Sequence, residues 1–150
     1  SIYHIFRIED IVCNSLINSK TQIFFDYDFQ NRMNSSIITT GNELSNEELI
    51  EFSKKLNIQE LYKYAKLVKE TSEKMILEIS YEETKLKIPE EKKEYLKSLK
   101  VVSLNESSSW LIDYWCGKNI RGLLQMPFSR HWIMHVEACL KIKNKLEERK

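Results

Sequence analysis

The scarcity of glycine and proline constrains the fold of this chain more than any other feature of its sequence. Among 150 residues there are only three glycines and two prolines, at Gly41, Gly117, Gly122, Pro89 and Pro127. A β-sandwich or a β-barrel needs many more turn residues. Leucine, isoleucine, lysine and glutamate are abundant, as is typical of helical proteins. The sequence therefore predicts an all-α fold, and its length suits a single domain, 1–150, with its own hydrophobic core.

Apolar spacing and capping signals predict where the helices lie. Five apolar residues at helical spacing predict a first helix over 1–18. Ser45 and Glu48 form a capping box before a short helix that ends near residue 56. Pro89 suits the first turn of another helix, and Pro127 either begins a new helix or kinks a continuous one. The remaining predicted helices cover 58–79, 89–99, 107–115, 119–125 and 128–148.

The segment 19–40 is polar and irregular, except for an aromatic-rich stretch at 23–29. We expect a long loop whose aromatic side chains pin it to the helices, and a short strand over 23–29 is the alternative. The end of this loop carries a turn signal, Thr39-Thr40-Gly41-Asn42.

The chain contains three histidines, and two of them lie four residues apart in the last predicted helix. Side chains at i and i+4 lie on one helix face, so His131 and His135 can reach the same metal ion. His4 lies beside the apolar stripe of the first helix and could supply a third ligand. Glu137 lies about 120° to 160° away from the pair in projection, which excludes it as a ligand. We expect the pair to point inward on one continuous face with Ala138, Cys139, Ile142 and Leu146.

The spacing alone leaves two interpretations open. A single buried histidine is usually a hydrogen-bonded core residue, whereas three inward imidazoles are difficult to satisfy without an ion. Trp132 occupies the position of the glutamate in the HExxH zinc motif, so that motif is absent. Three histidine ligands would leave coordination positions open for water or substrate, which is the catalytic pattern of zinc ligation.

Two stretches around the histidines carry a family resemblance. Ser1-Ile-Tyr-His4-Ile-Phe-Arg7 looks like the metal-ligand helix of the DinB/YfiT-like superfamily. Asn119-Ile-Arg-Gly-Leu-Leu, followed by Arg130-His131-x3-His135, is similar to the last helix of that superfamily. The resemblance implies an up-down-down-up four-helix bundle in which His4, His131 and His135 hold a divalent metal ion, zinc or nickel. It also implies thiol-dependent S-transferase-like or hydrolase-like chemistry, with a low-molecular-weight thiol as a further cofactor.

The chain departs from this family in two places. Relatives usually carry a complete helix before the first histidine helix, and no such helix precedes Ser1 here. The bundle is therefore expected to lack its first helix in this chain and to contain extra short helices and a long loop. An incomplete set of four helices would favour a homodimer. The residues after the histidine pair, Glu137-Ala-Cys-Leu-Lys-Ile, also differ from the small-residue ending of the family, which leaves the substrate open.

Several neighbouring side chains are candidates for supporting roles. Arg7 lies about one turn from His4, where it could bind an anionic group, brace the site or form a surface ion pair with Glu9 or Asp10. Cys139 follows His135 by one turn and could be a fourth ligand or a small core residue. Three tryptophans could wall a substrate pocket or pack in the core: Trp110, Trp115 and Trp132.

Composition narrows the function classes. The net charge of +1 and the absence of a basic–aromatic stripe argue against nucleic-acid binding. Three cysteines without CxxC spacing indicate a reducing compartment. No apolar run approaches about 20 residues and no signal peptide is visible. The sequence thus predicts a cytoplasmic protein that acts on a small molecule, without membrane or nucleic-acid partners. The alternative is a non-catalytic metal- or ligand-binding stress-response protein.

Overall fold

The structure, a computed structural model, describes residues 1–148, and its regular elements in that range are helices. The all-α prediction is confirmed: the described residues form no β-strand, and one isolated antiparallel bridge joins Lys87 to Asn119. The last two residues of the predicted domain lie outside the described residues. The α-helices are α1 (Ile2–Asp10), α2 (Ile23–Asp26), α3 (Phe29–Arg32), α4 (Asn46–Lys55), α5 (Ile58–Glu78), α6 (Glu91–Leu99), α7 (Glu106–Cys116), α8 (Ile120–Gln125) and α9 (His131–Glu147).

Three further helical turns connect these helices. A π-helical segment, Ile11–Ile17, continues α1, and a second one, Met126–Arg130, joins α8 to α9. A 3₁₀ turn covers Glu83–Lys85. Neither α5, which is 21 residues long, nor any other helix within 1–148 has the length and apolar character needed to cross a bilayer.

The capping box that the sequence predicted is present, and two asparagines cap further helices. Ser45 and Glu48 form both hydrogen bonds of the capping box at the start of α4. The Asn57 side chain accepts hydrogen bonds from the backbone N–H groups of Gln59 and Glu60 and so caps α5. Asn119 caps α8 in the same way. Each cap satisfies backbone donors that have no partner within their own helix.

The expectation of a loop over 23–29 was wrong in part, and the strand alternative was wrong. The segment forms the two short helices α2 and α3 instead. The cause is a contact from a distant part of the chain. The Asp10 carboxylate accepts hydrogen bonds from the backbone N–H groups of Ile23 and Phe24, each at 3.0 Å, and so caps the first turn of α2.

Helix α1 and its π-helical continuation lie at the centre of the fold. One apolar cluster packs around Ile8, Ile11, Val12 and Leu16 together with residues of α6, α7 and α8. A second cluster packs around Tyr3 and Phe6, together with residues of α2 to α5 that include Phe24, Phe29, Phe52, Leu61, Tyr64 and Val68. Because both clusters include this one helix, most of its side chains are buried, and several of them are polar.

A buried ionic network joins the polar side chains of α1 to other elements, and among the atoms of Arg7 and Asp10 only the Nε of Arg7 is left without a partner in the described residues. Besides the two N–H groups of α2, Asp10 accepts a hydrogen bond of 2.8 Å from the hydroxyl of Tyr64 in α5. The Arg7 guanidinium lies 3.5 Å from the same carboxylate and donates to the Gln22 side chain at 2.9 Å. Arg7 and Asp10 are both completely buried. Buried charges are tolerated only when paired, so this network ties α1 to α2 and α5.

The prediction that the last helix points one continuous face inward was wrong beyond His135. His131, Trp132 and His135 are half-buried, but Ala138, Cys139, Ile142 and Leu146 are exposed. Helix α9 packs on α1 and on the Met126–Arg130 turn, and no side chain between residues 131 and 147 is fully buried. The helix therefore begins against the body of the protein and then extends beyond it.

Replacing Asp10 by alanine should destabilise the fold by about 3–5 kcal/mol, because Arg7 would be left buried without its charge partner and α2 would lose its cap. Urea unfolding followed by circular dichroism measures the change. Asp26→Ala, at an exposed position in α2, is the matched control and should change stability by less than about 0.5 kcal/mol. Equal effects of the two substitutions would show that the network does not stabilise the fold.

Candidate metal centre

The three histidines of the chain converge at one place. The Nε2 atom of His131 lies 3.0 Å from Nε2 of His4 and 3.0 Å from Nε2 of His135. One ligand atom from each residue lies within 4.8 Å of the other two, and all three side chains are half-buried. The structure thus brings together the three residues that the sequence singled out, although His4 and His131 are 127 positions apart.

His4 is oriented by the turn that follows the long loop. Its Nδ1 atom lies 2.9 Å from the carbonyl oxygen of Thr40. The same loop is tied to α1 by the Tyr3 hydroxyl, which donates to the carbonyls of Ile37 and Thr39, and by Arg7, which donates to the carbonyl of Ile38 at 2.7 Å. A carbonyl held in this way fixes the ring orientation and the tautomer of a ligand histidine.

The histidine pair follows directly on the π-helical turn. Pro127 has no backbone N–H and disturbs the regular hydrogen-bond ladder. The N–H of His131 donates instead to the carbonyl of Met126, five residues back. Ser129 compensates for part of the disturbance, because its hydroxyl donates to the Gln125 carbonyl at 2.6 Å. A π-helical turn changes the phase of the residues that follow it, and such turns are frequent at functional sites. The helical run therefore continues through Pro127.

A polar contact on the other side of the site joins α9 to α1. The indole Nε1–H of Trp132 donates to the Glu9 carboxylate at 2.8 Å. The Ser72 hydroxyl of α5 donates to the other oxygen of the same carboxylate. Burial raises the pKa of Glu9. The Trp132 ring also packs edge-on against Phe6, with ring centroids 4.9 Å apart. These contacts hold α9 in register with α1, one residue after His131.

Hydrogen bonds within the protein do not satisfy the three imidazoles. A neutral His4 that donates Nδ1–H to Thr40 presents an unprotonated Nε2 to the cluster. His131 Nε2 faces two ring nitrogens, and a single N–H can make only one well-aligned bond to them. The Nδ1 atom of His131 is buried and has no hydrogen-bond partner among the described residues. A cation between the three Nε2 atoms would use all three lone pairs, and tetrahedral ligation at about 2.0–2.1 Å separates nitrogens by about 3.3 Å. The residues present therefore fit a divalent metal ion.

The electrostatics of the site also suit metal binding. Burial lowers the pKa of His4 and of His131 to about 4, and it lowers the pKa of His135 as well. For His4, the bond to the Thr40 carbonyl acts in the opposite direction but is the smaller effect. All three imidazoles are therefore neutral at pH 7, which is the form that binds metal.

Arg7 does not have the exposure that anion binding would need. The side chain is completely buried, and its guanidinium stacks on the Phe24 ring at 4.0 Å from the ring centre. A group without contact to solvent cannot receive a substrate. The ion pair with Asp10 that the sequence suggested is present, but it is buried rather than on the surface. Arg7 braces the site indirectly, through the Ile38 carbonyl and the loop that orients His4.

A cavity opens beside the histidines and is lined in part by His4, His135 and Cys139. Cys139 is exposed and does not belong to the group of converging ligand atoms. None of the three tryptophans lines this cavity, contrary to one of the two interpretations of them. Trp115 is buried in the core, Trp110 is half-exposed, and Trp132 bonds to Glu9.

Comparisons with protein-family models, curated proteins and solved structures found no match to this chain.

The sequence did not reveal the supporting residues of the site. The Thr39–Asn42 turn was predicted, but nothing in its residues indicated that the Thr40 carbonyl would face His4. Glu9 was considered only as a surface partner of Arg7, whereas it is a buried acceptor for Trp132. The one available signal was its place in a helix with the apolar residues Ile5, Ile8 and Val12, where a buried carboxylate needs a donor from elsewhere.

We expect ring signals of His4 and His131 in metal-free protein to titrate with a pKa near 4, as measured by NMR of ring-labelled histidine. The unfolded chain binds these protons near the ordinary pKa of about 6.5. Between these two pKa values the unfolded state binds more protons than the folded state. The contribution of the histidines to the free energy of unfolding is therefore complete above pH 6.5 and is lost as the pH drops toward 4. The urea-unfolded chain is the control. Three histidines titrating near 6.5 in the folded protein would contradict a buried, neutral cluster.

Proposed function

We propose that the chain binds one divalent metal ion, zinc or nickel, through His4, His131 and His135, and that it is a metal-dependent enzyme acting on a small molecule. The observation that carries this proposal is the convergence of three Nε2 atoms whose contacts are with one another, where one N–H cannot satisfy all three. Three neutral nitrogen ligands beside a cavity are typical of catalytic rather than structural zinc sites.

The family resemblance supports the same proposal. The ligand positions are those expected from the DinB/YfiT-like superfamily, and an all-α fold agrees with it. We therefore also propose the specific helix-bundle fold of that superfamily, with S-transferase-like or hydrolase-like chemistry. A bound ion would act as a Lewis acid, lowering the pKa of a water or thiol beside it to produce a nucleophile near neutral pH.

The residues of this chain would then have distinct tasks. The three imidazoles hold the ion. Thr40 keeps the His4 ring in the tautomer that leaves Nε2 free. Glu9 and Trp132 hold the two histidine-bearing helices in register. The half-buried setting of the cluster limits access of water, which strengthens electrostatic effects on a substrate.

Two further expectations belong to this proposal. A homodimer is favoured by the apolar side chains exposed on α9, since a cluster of such residues marks an interaction surface: Ile133, Met134, Val136, Leu140, Ile142 and Leu146. A cytoplasmic location follows from the cysteine pattern of the sequence and stays a prediction.

Zinc titration by calorimetry should show one site per chain in metal-free protein. His131→Ala should weaken zinc binding by on the order of 100-fold or more, because even the loss of an indirect support costs 10–100-fold at such sites. Asn144→Ala, at an exposed position on the same helix, should leave the affinity unchanged. Cys139→Ser should also retain zinc. Equal zinc affinities of wild type and His131→Ala would rule out the three-histidine site.

Catalysis is tested separately from metal binding. Zinc-loaded protein should hydrolyse 4-nitrophenyl acetate, or transfer 2-mercaptoethanol to 1-chloro-2,4-dinitrobenzene, at least about tenfold faster than metal-free protein. The His131→Ala variant should give the metal-free rate, and Asn144→Ala the wild-type rate. Tight zinc binding combined with no gain in either rate would favour the non-catalytic metal-binding alternative.

A further inference from the structure

The cavity beside the histidines has a marked chemical asymmetry. Its volume is about 580 Å³, which lies within the range of small-molecule sites. His4 and His135 form part of one wall, and helices α4 and α5 supply much of the remainder. The apolar residues from these two helices, their connection and the preceding loop are Leu44, Leu49, Phe52, Leu56, Ile58 and Leu61.

Charged side chains are absent from the lining of this cavity. All lining residues lie in the described part of the chain, and none is an aspartate, glutamate, lysine or arginine. The polar contributors are the imidazoles, the Cys139 thiol, neutral groups such as Thr40, Asn42 and Ser53, and Ser1, whose α-amino group lies at the histidine end of the cavity, away from helices α4 and α5. A substrate carboxylate or phosphate is normally bound by arginine or lysine. The nearest arginine of α1, Arg7, is buried in its own network and cannot take this role.

The lack of charged side chains and the apolar lining of the cavity indicate what kind of molecule it can bind. Transfer of a charged group into an apolar cavity without a partner is costly, whereas each buried methylene is favourable. Charged peptide-like thiols would therefore fit poorly along the apolar residues of α4 and α5. A compound with a short alkyl or aryl body would bury that body there and place its polar end at the histidines.

We infer that the cavity binds the uncharged, apolar body of a small substrate whose metal-coordinating head reaches His4, His131 and His135. The placement of the head rests on the proposed function. The binding of the apolar body depends only on the cavity, so the two parts can be tested independently.

The cavity is tested first without metal. The neutral fluorophore N-phenyl-1-naphthylamine is titrated into wild-type protein in excess chelator, where we expect saturable binding at one site. Leu49→Asp introduces a carboxylate into the lining and should weaken binding at least about tenfold. Ile50→Asp is the matched control: Ile50 is the next residue on α4, is 56% exposed against 41% for Leu49, and does not line the cavity. It should leave probe binding unchanged.

The head group is tested on zinc-loaded protein with straight-chain hydroxamates. Affinity should rise by about three- to fourfold per methylene from acetohydroxamic acid to octanehydroxamic acid, as expected for methylenes leaving water. Suberic acid monohydroxamate has the same chain but ends in a carboxylate, and it should bind at least about tenfold more weakly than octanehydroxamic acid. Leu49→Asp should abolish the dependence on chain length, and Ile50→Asp should retain it.

The outcomes separate the two proposals. Probe binding that is lost in Leu49→Asp supports the cavity even if the protein binds no zinc, in which case only the proposed function fails. Zinc binding with equal affinity for all the hydroxamates overturns the inference and leaves the proposed function intact. Dimerisation is measured by sedimentation. Probe binding that declines as the protein dimerises would also overturn the inference, because a second copy of the chain would then fill the cavity.

Discussion

The burial of α1 on most of its faces is the constraint on which the other features of this protein depend. A helix between two apolar clusters can keep polar side chains only if other elements supply their partners. Asp10 finds its partners in α2 and α5, and Arg7 finds its partners in the long loop and in Gln22. The network that pairs these two residues is therefore also the network that arranges the chain around them.

The histidine cluster is a consequence of this arrangement. The loop that Tyr3 and Arg7 hold against α1 is the loop whose Thr40 carbonyl orients His4. On the other side, Glu9 is a third buried polar residue of α1, and its carboxylate fixes Trp132 beside His131. Support for the ligands thus comes from the same helix that supplies one of them. Such support is what a metal site needs in order to keep its geometry without the ion.

The sequence predicted those parts of the structure whose signals lie within a few neighbouring residues. The capping box of Ser45 and Glu48 lies within four residues of sequence, and the pairing of His131 with His135 follows from helix geometry. The first turn of α2 is capped by Asp10, which lies outside the segment, so periodicity could not reveal this helix. The exposure of α9 beyond His135 was missed because an apolar stripe shows which face would be buried but not whether another element covers it.

X-ray absorption spectroscopy at the zinc edge tests the three-histidine centre, because it reports the ligand atoms themselves. Ligation by His4, His131 and His135 predicts a first coordination shell with three imidazole nitrogens at about 2.0–2.1 Å and no sulfur. It also predicts that the imidazole scattering falls by one third in His4→Ala protein reloaded with zinc. A sulfur ligand at about 2.3 Å, or a wild-type spectrum with fewer than three imidazoles, would contradict the three-histidine centre.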